Sequence, residues 1–132
     1  NSESCTSFQH VRNILDNESS AVFNGKVIVS DGAQKTDSNQ SNKNLLLSDT
    51  SNAYSNPQLE IYADDVSCGH GSTTGALNED SVFYLRARGI KKTDAIKILI
   101  KAFAKEVVDE FSLSSIQDIS EIALDSWINE QH

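Results

Sequence analysis

The sequence contains no methionine, not even at position 1. It therefore does not begin at its own start codon, and the expectation is a piece of a longer protein rather than a chain that lost a leader. Cysteine is scarce too: Cys5 and Cys68 lie far apart, and no spacing pattern supports a disulfide between them. The three histidines are His10, His70 and His132. Structural zinc takes four Cys or His ligands, and a simple iron–sulfur cluster usually takes four thiolates. A complete soft-metal site within this chain is therefore not expected. Basic residues are few, with 11 Lys and Arg against 19 Asp and Glu and a net charge of −8. Without a basic stripe and interleaved aromatics, nucleic acid is set aside as a partner. No apolar run approaches the roughly 20 residues of a membrane span, and no charged-then-apolar signal segment opens the chain. The expected location is aqueous, cytoplasmic by default. Gly69-His70-Gly71 and Gly75 lack the Lys-Ser/Thr ending of a P-loop, so no nucleotide is expected on this chain.

What is present is globular. The 132 residues are 38% hydrophobic and 23% charged, which suits one modest core. The first half reads as strands and turns. Ala21-Val22-Phe23 and Lys26-Val27-Ile28-Val29 form a β-rich run closed by Asp31-Gly32. Ser38 to Asn44 is so rich in Asn, Gln and Ser that it reads as a polar linker, and Ser48 to Asn56 as a polar turn ending at Pro57. Leu45-Leu46-Leu47 and Leu59-Glu60-Ile61-Tyr62-Ala63 are short strands. A β-sandwich and a β-helix of parallel rungs both fit this alternation.

The second half changes period. Asn78 is a good N-cap, with Glu79 and Asp80 near the positive helix end and Gly89 as a natural terminator. A second helix starts near Thr93-Asp94, with Ile96, Leu99, Ile100, Phe103, Val107 and Phe111 in one stripe. Lys97, Lys101 and Lys105 lie four apart on another face, read as a solvated one. A third helix starts at Ser115, with Ile116, Ile119, Ala123 and Trp127 on its apolar side. The domain expectation is strands over residues 1–75 and a helical subdomain over 76–132.

At the junction stands Asp64-Asp65-Val66-Ser67-Cys68-Gly69-His70-Gly71. In an extended backbone, residues i and i+2 point to one face, so Cys68 and His70 look the same way, with Gly69 leaving the approach open. A thiolate and an imidazole there can hold a soft metal, or act as nucleophile and base. Parallel i, i+2 side chains are poorly arranged for proton transfer, and no helix begins at the cysteine to lower its pKa. A cysteine hydrolase or transferase using Cys68 and His70 stays open as the alternative. So does an incidental buried thiol. Asp64 and Asp65 most often shape a turn.

The run Pro57-Gln58-Leu59-Glu60-Ile61-Tyr62-Ala63-Asp64-Asp65-Val66-Ser67-Cys68-Gly69-His70-Gly71-Ser72-Thr73 resembles the signature of the SufB/SufD family of iron–sulfur cluster assembly scaffolds, the SufD branch in particular. Val22-Phe23-Asn24-Gly25-Lys26, Ala33-Gln34-Lys35-Thr36-Asp37, Asn44-Leu45-Leu46-Leu47-Ser48 and Phe83-Tyr84-Leu85-Arg86-Ala87-Arg88-Gly89-Ile90 are similar to the family in the same order, over roughly residues 5–111. The resemblance implies the last rungs of a right-handed parallel β-helix followed by a C-terminal helical subdomain. It implies a non-catalytic scaffold that pairs with SufB and binds SufC, an ABC-type ATPase. By position, Cys68 and His70 match the Cys-x-His of the D branch and would bind, as metal ligands, a transient iron–sulfur cluster shared with the partner subunit. No catalytic residue is carried over. The Lys97, Lys101 and Lys105 row and the segment Arg86 to Ile90 would face the ATPase. Family members are several times longer, so many rungs would be missing here, and the exposed rung edge makes self-association of this piece an expectation. A plastid is the corresponding location in a eukaryote.

Overall fold

A computed structural model describes residues 2–131. His132, counted above among the histidines, lies outside the described residues. Five strands come first, β1 (Thr6–Leu15), β2 (Ser20–Val29), β3 (Asp37–Leu46), β4 (Asn52–Ile61) and β5 (Ser67–Ala76). Three helices follow, α1 (Glu79–Ala87), α2 (Lys92–Val108) and α3 (Ser114–Gln131). The chain divides into two compact units, Asn1–Gly75 and Ala76–His132.

In the strand unit, successive strands alternate between two sheets, ordered β1-β3-β5 and β2-β4. β1 pairs with β3 in parallel from Thr6↔Asp37 to Leu15↔Leu46, and β2 pairs with β4 in parallel from Ser20↔Asn52 to Val29↔Ile61. A sandwich of hairpin-linked strands would be antiparallel, so the observed pairing removes that option. The turns repeat as well. Ser4 and Lys35 both adopt positive φ, 56° and 59°. Ser4 N–H donates to Gln34 O at 2.8 Å, and Lys35 N–H donates to Asp65 O at 2.5 Å. Each two-strand repeat is thus tied to the next at the same corner.

The polar stretches read as linker and turn are strands. Ser38 to Asn44 lies within β3, and β4 begins at Asn52, so Pro57 sits inside a strand. Proline is tolerated there because β4 is an edge of its two-stranded sheet. The hydropathy signal failed because β3 turns its polar residues inward: Ser38 is 2% exposed, Gln40 and Asn42 are 0% and Asn44 is 4%. They bond across the interior. Asn13 Nδ2 donates to Asn44 Oδ1 at 2.7 Å, Asn44 Nδ2 donates to Asn42 Oδ1 at 2.9 Å, and the Ser55 hydroxyl of β4 donates to Asn42 Oδ1. Apolar packing includes a small cluster of Val29, Ala33 and Ala63 with Val27, Val66 and Cys68 against it, and Leu15 and Leu45 are buried as well.

The helical unit follows ordinary rules. The Asn78 side chain caps α1, accepting from Ser81 N–H at 2.9 Å, and Gly89 follows that helix with φ 88°. Ala95, Ile100, Val108 and Ile128 are the buried core of α2 and α3. One expectation is sharpened and another needs correction. The Lys row is open to solvent but not idle: Lys97 Nζ reaches Asn129 Oδ1 at 3.0 Å, Lys101 pairs with Asp125 at 2.7 Å, and Lys105 pairs with Glu121. The row joins α2 to an antiparallel α3, so those ammonium groups are already engaged within the unit. Ile116 and Ile119 of α3 stand 42% and 68% exposed, with Ile122 at 69%. The face that meets α2 instead carries Glu121, Asp125 and Ile128, because the acids follow the lysines.

Candidate functional site

β5 is an edge strand beside β3. Its inward face is fixed by two side chains. Cys68 packs against the Val29, Ala33 and Ala63 cluster, and Thr74 Oγ1 accepts from the buried Asn44 Nδ2 at 3.1 Å. Strand side chains alternate, so His70 and Ser72, between them at the same parity, belong to that inward face. Cys68 is half-buried and His70 is exposed, since β5 has strand company on one side only.

The β3 alignment of this face can be read from two contacts. A Cβ on Gly69 would lie 3.7 Å from Asn39 Nδ2, and Asn44 meets Thr74. The same offset sets Cys68 beside Ser38 and His70 beside Gln40. One row further in, Gln9 is in register with Gln40 and Asn13 with Asn44. The interior therefore carries polar rows running from strand to strand, and the Cys–His pair lies at their edge.

That interior is not fully satisfied. Gln40 Nε2 donates to Gln9 Oε1 at 2.7 Å, but Gln40 Oε1, Ser38 Oγ and Asn42 Nδ2 are buried without a hydrogen-bond partner. Each such group costs about 1–3 kcal/mol, and in a native structure it calls for an explanation. Gly25 is what lets Gln40 lie there, because a Cβ at that position would stand 2.3 Å from Gln40 Nε2 and 2.6 Å from Phe23 Cζ.

The turn before β5 holds Asp64 and Asp65, both exposed. Asp65 contributes backbone rather than carboxylate: its N–H donates to Gln34 Oε1 at 2.9 Å. Cys5 and Cys68 are free thiols. His10 lies on β1, its ring 6.5 Å from that of Phe8. Among the described residues, no group of three His, Cys, Asp or Glu side chains is gathered as a metal site. The structure thus brings Cys68 and His70 onto one strand face and adds neither Asp64 nor Asp65 as a third ligand. Sequence reasoning missed Ser38, Gln40, Asn42 and Asn44. The signal was available in the recurrence of Gln9 at Gln40 and Asn13 at Asn44, both 31 residues on.

The chain is thus an alternating parallel-strand unit with a polar interior, carrying a thiol and an imidazole on one edge-strand face, followed by a helical unit. The family model for the SufBD core domain of the SUF system for iron–sulfur cluster assembly matches residues 1–103, and the chain belongs to that family. It is 47% identical over 104 residues to an iron–sulfur cluster assembly SufBD family protein of Synechocystis, covering 79% of this chain and 23% of that protein. It is 45% identical over 105 residues to the iron–sulfur cluster assembly protein SufD of Escherichia coli, covering 80% of this chain and 25% of that one. To the chloroplastic protein ABCI7 of Arabidopsis thaliana it is 42% identical over 98 residues, covering 74% of this chain and 21% of that protein. The SufD-branch resemblance read from the motifs therefore holds. The chain spans about a quarter of the length of these relatives. Among the described residues, no helix is long and apolar enough to cross a membrane.

Proposed function

We propose that this chain is a non-catalytic scaffold part of the Suf machinery whose Cys68 and His70 supply half of a cluster-building site, the other half coming from a SufB-type partner. The observation that carries the reading is the shared face of Cys68 and His70 on an edge strand, with the imidazole exposed. A thiolate and an imidazole are suitable donors to iron, and two donors leave coordination positions for sulfide and for ligands from another chain. The nascent cluster is cargo, built and passed on, and no nucleotide binds this chain. The strands are the last rungs of a right-handed parallel β-helix, whose unpaired rung edge is a template for a further strand. A neighbouring subunit uses it, or a second copy does when the chain is alone.

The helical unit docks the SufC-type ATPase through its exposed apolar side chains. Support comes from Ile119 and Ile122 at 68% and 69% exposure, and from a groove of about 430 Å³ whose lining includes Tyr84, Leu85, Ile98 and Leu99. With Lys97, Lys101 and Lys105 engaged by α3, the docking surface is apolar rather than a lysine row. The protein works in the cytoplasm or, in a plant, in the plastid, in line with the chloroplastic relative.

Anaerobic reconstitution with iron, sulfide and the partner subunits tests the reading. Cluster should form only with partners present and should be lost on His70→Ala. Unchanged assembly after replacing both Cys68 and His70 would overturn it, as would partner-free turnover with a substrate-like electrophile on Cys68.

A further inference from the structure

We infer that Gln40 is a positioning residue for His70: its side-chain oxygen accepts the imidazole N–H, so that the other ring nitrogen presents its lone pair outward. The inference rests on reading His70 as a ligand, and adds a residue that acts through it.

Gln40 is completely buried. Its Nε2 donates to Gln9 Oε1 at 2.7 Å, and in that arrangement Oε1 is an acceptor with no partner. Gln40 lies in the interior row next to β5, where the inward parity and the Asn39–Gly69 and Asn44–Thr74 contacts align it with His70. Adjacent strands are about 4.8 Å apart, a spacing that side chains of the length of Gln and His can bridge. A neutral imidazole has one N–H and one lone pair, and the partner of the N–H selects which nitrogen is left to bind a metal. An orphaned, immobilised acceptor beside an exposed histidine is the missing half of that pairing. Gly25 is part of the device, since any Cβ there would displace the Gln40 amide.

The test uses the chain with labelled histidine and long-range proton–nitrogen spectra, the His70 signals being assigned by their loss in His70→Ala. No iron or partner is present. The unsubstituted protein should show one dominant His70 tautomer. Gln40→Met, which keeps the length and removes the acceptor, should give a mixture with the minor form raised at least threefold, and Gln40→Glu should restore the single form. Equal tautomer populations in the unsubstituted protein, or an unchanged ratio in folded Gln40→Met, would overturn the inference. Should Gln40→Met not fold, the unsubstituted spectrum together with Gln40→Glu decides. Because the readout needs no cluster, its failure leaves the ligand reading of His70 standing. That reading falls separately, if His70→Ala assembles cluster normally.

Discussion

The two units of this chain solve the problem of an interior in opposite ways. The helical unit buries Ala95, Ile100, Val108 and Ile128 and holds the flank of its α2–α3 contact with charged pairs. The strand unit buries Ser38, Gln40, Asn42 and Asn44 along β3 beside a small set of apolar residues. An apolar core tolerates any side chain of suitable volume. A polar ladder does not, because each row must find its partner on the next strand, and a one-residue slip would strand every group. The strand unit therefore trades hydrophobic stabilisation for register. Register is what holds Cys68 and His70 at a defined place on β5.

The sharpest way to test that contrast is to damage each interior in its own currency. Ile100, at 0% exposure, is the pillar of the helical unit, and Ile100→Ala should cost about 3 kcal/mol through lost burial and the cavity left behind. Hydrogen exchange should then show the amides of α2 and α3 losing protection. In the strand unit the damaging change is an addition. Gly25→Ala drives a methyl into Gln40 and Phe23 and should cost about 2 kcal/mol by overpacking, read as a lower urea midpoint. Gly32→Ala, which meets nothing within 4 Å, should shift the same midpoint by less than about 0.5 kcal/mol. Asn44→Ala comes next. It removes the acceptor for Asn13 and the donor to Asn42 and Thr74, leaving buried groups unpaired at a cost of about 1.5 kcal/mol. If Asn44→Ala proved neutral, the ladder would be filler rather than a register device.

The same contrast explains what could be read from the sequence. The helical unit was legible because capping and a 3.6-residue period are local. Asn78 caps α1 as expected, and Gly89 ends it. The partner face of α3 was misread, since the acids Glu121 and Asp125 there answer lysines on α2, which one helix's hydropathy cannot reveal. In the strand unit, apolar alternation found β2 and the ends of β3 and β4, but read the start of β3 as a linker and the start of β4 as a turn. Its inward residues are amides and hydroxyls, so alternation was present without a hydrophobic signal. The Cys68 and His70 pairing on one face was legible, because strand parity alone dictates it. Its neighbours Ser38 and Gln40 were not, because they depend on a register that only the fold supplies.

The smallest effect distinguishes the two interiors by their charge. Lys105 is held above the ordinary lysine value of 10.5, first by its hydrogen bond to Glu121 and then by that to Asp109. Its folded-state value is thus raised, so the stabilisation is complete below pH 10.5 and is lost as pH climbs through the raised folded value. Comparing the unfolding midpoints of the unsubstituted chain and Lys105→Gln from pH 8 to 12 should show a constant small gap that closes at the alkaline end. Added salt should narrow it at every pH, because the pair is open to solvent and screened. The equivalent comparison for Asn44→Ala should show neither trend, since amides and hydroxyls do not titrate in that range. A gap for Lys105→Gln that persists unchanged at pH 12 would mean that the lysine stem contributes through packing rather than charge.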